Sequence, residues 1–197
     1  MTRPAGITPS QTVGPFFHFG LAPAERGYAF ATTLDRTVAP AGTRGQAIRL
    51  TGRVLDGDGA PVPDAMIEAW QADADGVYPS PGDGRALSSN GFRGFGRSGT
   101  DMDGVYGFDT IKPGAVPAPG GGFQAPHVGL VVFARGLLVH LFTRAYFADE
   151  PATAADPILA HVPADRRATL IAVPDGPGVY RHDIRLQGAG ETVFFAV

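Results

Sequence analysis

The sequence of 197 residues contains no cysteine. This absence excludes a disulfide framework, a zinc-thiolate or iron–sulfur site and a cysteine nucleophile. The fold must therefore be held by its core alone, and a chain of this length buries roughly 70% of the surface that its unfolded form exposes. We expect one compact domain and no second full domain.

The chain also has little net charge and no long apolar run. Its 16 basic and 19 acidic residues give a formal net charge of −3, which provides no basic field for a nucleic-acid backbone. The longest apolar run, residues 129–142, is interrupted by Arg135 and His140, and no stretch reaches the ~20 apolar residues of a membrane span. The first residues lead into no apolar region of a signal peptide. We therefore expect a cytoplasmic protein that binds neither nucleic acid nor membrane.

Glycine and proline, in contrast, are abundant, with 28 and 18 residues, which favours many turns around a core. Between the turns, apolar and polar residues alternate with the two-residue period of half-buried strands. The predicted strands span residues 48–54, 65–71, 104–108, 128–134, 138–147, 180–186 and 192–197. Short helical turns are expected at 152–160 and 164–168. Regularly spaced strands without a sustained helical period predict an all-β fold, an antiparallel β-sandwich.

Two of these strands are expected to form a central hairpin, joined by a tight turn at Arg135 and Gly136. Alternate residues of a strand share a face. In the second strand of the hairpin, Phe142, Arg144 and Tyr146 therefore lie on the same side of the sheet.

The first 45 residues differ from the rest of the chain because they are rich in Pro, Gly and Thr with scattered aromatic residues. Phe16, Phe17 and Phe19 would be costly to leave in water, which indicates an ordered arm. We predict a single domain over residues 1–197, with an arm at 1–45 and the β-sandwich at 46–197.

Few residues offer catalytic chemistry. The sequence has no phosphate loop, no Gly-x-Ser-x-Gly nucleophile elbow and no His-Glu-x-x-His helix. No two of the five histidines have a spacing that places them on one short metal-binding segment, so a structural role is expected for each. Trp70 is expected to belong to the core. Arg135 lies in the most apolar run, so its charge either reaches an edge of the fold or meets an anion.

Four stretches of the chain carry a family resemblance together. TPSQTVGPFFH covers residues 8–18, EAWQADADGVY covers 68–78, DGVYGFDTIKPG covers 103–114 and RHDIRLQGAGETVFF covers 181–195. From about residue 8 to residue 197 the sequence resembles the intradiol ring-cleaving dioxygenases. The last stretch is similar to the alpha type of chain in those members that are built from two kinds of chain.

The resemblance implies a metal site that has lost half of its ligands. The family holds a non-haem ferric ion with two Tyr and two His, since Fe(III) prefers anionic oxygen donors. Tyr78 and His127 stand at the first Tyr and first His positions, whereas Val116 and Gly129 stand at the second ones. The resemblance therefore implies a vestigial site without iron, in which Tyr78 and His127 only hydrogen-bond. The Fe(III) would be held by a homologous beta chain.

The resemblance also implies that the function is shared between two chains. In the family, the entry segment of the alpha chain helps to wall the substrate pocket of its partner, which carries over to Thr12, Gly14 and Pro15. Arg135 matches an alpha-chain Arg near the same pocket. Residues 1–45 would pack on the beta chain, and further alpha–beta pairs would form a larger oligomer. The implied reaction is the O₂-dependent cleavage of the catechol acid protocatechuate, with no catalytic residue in this chain alone.

One alternative from another class stays open. A non-catalytic β-sandwich ligand-binding module of the transthyretin or peptidase-associated type would share the pattern of residues 52–67. It would not share the entry segment or the C-terminal stretch.

Overall fold

The computed structural model describes residues 13–14, 16–29, 34–87 and 91–196. The strands are β1 (Ala47–Leu55), β2 (Met66–Trp70), β3 (Phe95–Gly99), β4 (Val105–Ile111), β5 (Val116–Pro117), β6 (Phe123–Gln124), β7 (His127–Phe133), β8 (Leu141–Phe147), β9 (Ile171–Pro174), β10 (Val179–Arg181) and β11 (Ile184–Arg185). One α-helix, α1 (Phe17–Leu21), precedes them. Short 3-10 helices lie at Ala24–Arg26, Pro151–Ala155, Leu159–His161 and Arg167–Leu170. Among the described residues, no helix is long and apolar enough to cross a membrane.

Nine strands of the described residues form one large sheet, in the order β11-β1-β10-β9-β8-β7-β2-β3, and β4, off this path, pairs antiparallel with β1. The strands β5 and β6 form a separate small hairpin. The alternation read from the sequence explains β1, because Ile48, Leu50 and Val54 are buried while Arg49 and Arg53 are less so. The predicted β-sandwich class is confirmed, and the fold is mostly strand with few helices.

Not all strand pairs are antiparallel as predicted. The strand β1 pairs in parallel with β10 and β11, and β8 pairs in parallel with β9. Parallel neighbours need a long connection between them, and here β10 returns to β1 from more than a hundred residues away. Alternation within one strand carries no information on that direction.

The strand ends also differ from the prediction in the second half of the chain. The tight turn predicted at 135–136 is present, closed by a 3.3 Å bond from the Leu137 N–H to the Ala134 carbonyl, but it lies within a longer loop over residues 134–140 and does not join β7 directly to β8. The predicted strand 180–186 is divided into β10 and β11 by His182 and Asp183. The predicted terminal strand 192–197 is wrong over its described residues, which make only one bridge, between Phe142 and Phe195.

The main core combines buried residues of β1 and β4 with those of β2, β7 and β8. Its largest fully buried side chains include Tyr106, Phe108, Phe147, Leu50 and Leu130. At one corner of this core, β4 is held to the residues after β10, because the Tyr106 hydroxyl donates to the carbonyl of His182 over 2.6 Å. A side chain at Gly52 would meet that carbonyl, since an added Cβ would lie 1.8 Å from it.

The described part of the N-terminal segment lies against the sandwich. Ala22 is buried, and Arg26 donates from Nη2 to the carbonyl of Pro63. Phe16, in contrast, is 75% exposed and stacks only on Phe19 within the described residues. The segment therefore presents an aromatic surface to the outside.

Candidate functional site

The site begins with one row of residues across three neighbouring strands. Trp70 at the end of β2 faces Gly129 of β7, and Gly129 faces Arg144 of β8. Paired residues point to the same face of a sheet, and this face lies away from the main core. Because Gly129 has no side chain, a gap opens between the indole of Trp70 and the guanidinium of Arg144.

This gap belongs to a cavity of about 440 Å³. Its walls include Trp70, Tyr78, His127, Phe142, Arg144 and Phe195. A neighbouring cleft of about 590 Å³ shares Tyr78 and Trp70 and is also lined by Val116 and Gln124. The fold thus gathers at one place the four positions that the family resemblance relates to iron ligands.

Tyr78 is positioned by the loop that follows β2. Its backbone N–H donates to Asp83 Oδ2 over 3.0 Å, and Arg85 holds Asp83 through an ion pair of 2.6 Å. Burial raises the pKa of the Tyr78 hydroxyl. The phenol is therefore neutral near pH 7.

His127 opens β7 and is buried. Its Nδ1 lies 2.7 Å from the carbonyl oxygen of Ala125, so Nδ1 carries the proton that this bond needs and Nε2 remains the acceptor. Burial, followed by the nearby Arg144 cation, lowers the pKa of His127 to about 4. The ring is therefore neutral at physiological pH.

Arg144 lies on the cavity wall and is held by neutral groups. Its Nη1 donates to Gln124 Oε1 over 2.7 Å and to the Tyr146 hydroxyl over 3.2 Å. The Tyr146 hydroxyl donates in turn to Asp156 Oδ1 over 3.1 Å. Asp156 Oδ2 accepts from the backbone N–H of Ala125, the residue that also orients His127. One network thus fixes both the cation and the imidazole of the cavity.

These residues do not fit a ferric ion. Only Tyr78 and His127 offer ligand atoms at the four positions, because Val116 and Gly129 have none. The described residues contain no group of three or more His, Asp or Glu side chains that could hold a metal. Arg144 adds a positive charge to the same cavity, which opposes a metal cation. No step of a reaction is therefore assigned to iron in this chain.

The residues predicted to contact substrate lie elsewhere. Arg135 follows the far end of β7, and its side chain is 61% exposed. Its Nε lies 2.9 Å from Oδ2 of Asp64, a buried carboxylate that accepts no hydrogen bond from a described residue. The sequence indicates that the Arg135 charge either reaches an edge of the fold or meets an anion. In the structure both apply, because the Arg135 side chain reaches the surface and pairs with Asp64 of the same chain.

The arm approaches Arg135 at this end. Val13 lines a cleft of about 280 Å³ together with Phe133 and residues of the 134–140 loop. Gly14 follows directly and is exposed, whereas Thr12 and Pro15 lie outside the described residues. The structure therefore brings the described part of the entry segment and the loop of Arg135 together, beyond the Phe142 end of the cavity. We name this second region, residues 13–14 and 133–140, the rim.

Two residues of the cavity were not recognised from the sequence. Trp70 was expected in the core but is 50% exposed and packs on Phe95. Arg144 was placed on the face of Phe142 and Tyr146 without a role. The sequence signal that could have identified Arg144 is a charged residue on the same strand face as two aromatic residues. The closeness of Arg144 to Gly129, however, depends on the register between β7 and β8.

Comparisons with known proteins show the family of this chain. A family model described as Dioxygenase matches residues 14–188. The protocatechuate 3,4-dioxygenase alpha chain of Burkholderia cepacia is 48% identical over 96% of this chain and 97% of its own length. The corresponding alpha chain of Pseudomonas putida is 45% identical over 95% of both chains. The beta chain of Burkholderia cepacia is 37% identical over 75% of this chain and 67% of its own length.

Solved structures show the same fold at low identity. Catechol 1,2-dioxygenase from Acinetobacter sp. ADP1 superimposes with a TM-score of 0.60 at 21% identity, over 82% of this chain and 61% of that one. Hydroxyquinol 1,2-dioxygenase from Pseudomonas putida DLL-E4 gives a TM-score of 0.60 at 20% identity, over 92% of this chain and 68% of that one. The alternative of a transthyretin-type binding module is not favoured by these matches. The chain belongs to the intradiol ring-cleaving dioxygenase family and is similar over nearly its whole length to protocatechuate 3,4-dioxygenase alpha chains.

Proposed function

We propose that this chain is the subunit without iron of a protocatechuate 3,4-dioxygenase. With a homologous beta chain it would catalyse the insertion of both atoms of O₂ into protocatechuate, between the two carbons that carry the hydroxyl groups. The product is 3-carboxy-cis,cis-muconate. The observation that carries this proposal is the near full-length similarity to alpha chains, joined to a cavity in which two ligand positions are Val116 and Gly129.

The Fe(III) of the reaction would be held by the beta chain and would bind the two hydroxyl groups of the catechol. Four donors, two of them phenolates, suit a hard ferric ion, and this chain offers two of the four. Its own contribution would be to complete the substrate pocket of the partner. We expect the pairs to associate into a larger oligomer in the cytoplasm.

The rim is the part of this chain that we assign to that pocket. Thr12, Gly14 and Pro15 would form a wall, and Arg135 would bind the carboxylate of protocatechuate. A guanidinium has five N–H donors, and the ion pair with Asp64 joins its Oδ2 to the Nε of Arg135. The remaining donors can bind a second carboxylate, which would be the anion that distinguishes protocatechuate from catechol.

The surface around the rim supports a partner chain. Leu138 is 66% exposed, Val139 is 56% exposed, and Phe16 of the arm is 75% exposed. Exposed apolar groups of this size, close to a cleft that the arm already enters, are typical of a protein interface. Residues 1–45 would be covered there.

Co-expression with a beta-type chain tests the proposal. The pair should contain iron and consume O₂ with protocatechuate, while this chain by itself should be colourless and inactive. The arm should be cut by protease more slowly in the complex than in the chain alone. An iron-replete, burgundy preparation of this chain alone would contradict the assignment, and equal cleavage of the arm in both samples would contradict its place at the interface.

A further inference from the structure

The cavity beside Gly129 holds a cation without a counter-ion. Arg144 donates from Nη1 to Gln124 and Tyr146, which are both neutral groups. Its Nε and Nη2 donate to no described residue, and no carboxylate of the described part of the chain lies within ion-pair distance of it. A partly buried guanidinium with free donors favours an anion in front of it.

The walls of the cavity are suited to a flat apolar body. Trp70 stands on one side of the gap at Gly129, and Phe142 and Phe195 contribute to the other walls. The Phe195 ring centre lies 5.9 Å from the guanidinium carbon of Arg144, so the cation and the aromatic surface are adjacent. A volume of about 440 Å³ lies within the range of sites for a single small molecule.

The opposite wall offers hydrogen-bonding groups for a hydroxyl. His127 uses Nδ1 to donate to Ala125, which leaves Nε2 as the nitrogen able to accept. Tyr78 also lines the cavity, and a neutral phenol can donate a hydrogen bond. A ligand with an anionic end and a polar end would meet complementary groups at both.

We infer that this cavity is a binding site for a small aromatic carboxylate, with the carboxylate on Arg144 and the ring between Trp70 and the two phenylalanines. A ring hydroxyl would accept from the Tyr78 hydroxyl and donate to His127 Nε2. The site lies within this chain and needs neither iron nor a partner. Its lining residues differ from those of the rim, which it adjoins through Phe142 and His140, and the inference does not rest on the proposed function.

Calorimetric titration of the full-length chain with 4-hydroxybenzoate tests the inference. We expect one site per chain, at least tenfold weaker binding of 4-hydroxybenzyl alcohol, which lacks the charge, and at least tenfold weaker binding of the acid after Arg144→Gln. The alcohol should bind the variant as it binds the original chain. Arg181→Gln, on an exposed side chain far along the sheet, is the matched control and should leave the affinity unchanged.

A second variant separates the binding site from the stability of the network. A Cβ at Gly129 would have only an ordinary contact of 3.4 Å with the Trp70 carbonyl. Gly129→Leu should therefore fill the cavity, keep Arg144 and its bonds, and abolish binding even where Arg144→Gln lowers the melting temperature. In an assembly with a beta chain, the same variants should remove one equivalent of bound acid per copy of this chain.

Three outcomes would overturn the inference. They are no binding by the original chain at millimolar acid, equal affinity for acid and alcohol, and loss of binding with Arg135→Gln but not with Arg144→Gln. The last outcome would place the ligand at the rim and leave the proposed function intact. Because the titration uses no partner and no O₂, inactivity of the assembly and failure of this site are separate results.

Discussion

The two ends of β7 differ in how their side chains are held. His127 begins the strand at the cavity, and Phe133 ends it at the rim. The two regions adjoin, because the cavity extends to Val131 and its Phe142 ring lies 4.8 Å from the His140 ring of the rim. At the cavity, buried side chains bond to one another through Arg144, Tyr146 and Asp156. At the rim, the side chains of Leu138 and Val139 are exposed and have no such network.

This difference indicates what each end requires. A site that has no metal must satisfy its remaining polar groups internally, since buried unpaired groups are costly. A site that completes another chain's pocket must stay open until that chain arrives. The cavity groups thus orient one another and leave only the outer donors of Arg144 open to a ligand. The rim, under the proposed function, would be completed by the partner chain.

Restoring the two missing metal ligands should change the cavity end of β7 the most. Val116→Tyr with Gly129→His restores four donors, yet the Arg144 cation remains beside them. We expect this double variant to bind little iron, and the triple variant with Arg144→Gln to approach one Fe(III) per chain, because a neutral side chain removes the charge repulsion. Iron analysis and the visible tyrosinate-to-iron absorption give the answer. Equal iron content in the two variants would show that Arg144 does not exclude the metal.

Acid should weaken the cavity end of the molecule. The pKa of His127 is lowered to about 4 by burial and then by Arg144, whereas an unfolded histidine titrates near ~6.5. Between these values the unfolded chain binds more protons, so the stability present above pH 6.5 is lost as the pH falls towards 4. The loss amounts to about 3 kcal/mol for this group. His182, buried in the core with a pKa also lowered to about 4, should add a similar loss.

Urea unfolding at pH 7, 5.5 and 4 measures this effect. His127→Gln should flatten the pH dependence relative to the original chain, while His161→Gln, with an exposed ring, should leave it unchanged. If both variants show the original dependence, His127 is not a source of the acid loss.

The sequence predicted the elements far better than their arrangement. The alternation at 48–54 and 128–134 reflects local burial, so β1 and β7 could be recognised without knowledge of the rest of the chain. The parallel partners of β1 lie near residue 180 and depend on packing across the whole domain. The false strand at 192–197 has the same cause, because its apolar residues pack on β8 through one bridge instead of a ladder.

The candidate site shows the same division. The family resemblance led to Tyr78, Val116, His127 and Gly129, and the fold gathers them around one cavity and its neighbouring cleft. The place of Arg144 in the cavity could not be recognised from the sequence, because it depends on the pairing of Arg144 with Gly129 in the register of β7 and β8. No sequence pattern gives a register between two strands joined by a seven-residue loop.

At the rim, Arg135 allows a structural role to be separated from a binding role, because it combines an ion pair to Asp64 with an exposed position. Arg135→Ala should raise the KM for protocatechuate about tenfold or more, as expected from losing a charge-assisted contact worth roughly 1.5–3 kcal/mol. The same change leaves the buried carboxylate of Asp64 without its cation, so it should also destabilise the chain. An Asp64→Asn background removes that buried charge. In this background Arg135→Ala should still raise the KM for protocatechuate, with little further loss of stability and little change in the turnover of uncharged catechol. If the KM effect vanishes with Asp64→Asn, or if both substrates are impaired alike, Arg135 serves the fold or the interface and does not bind the carboxylate.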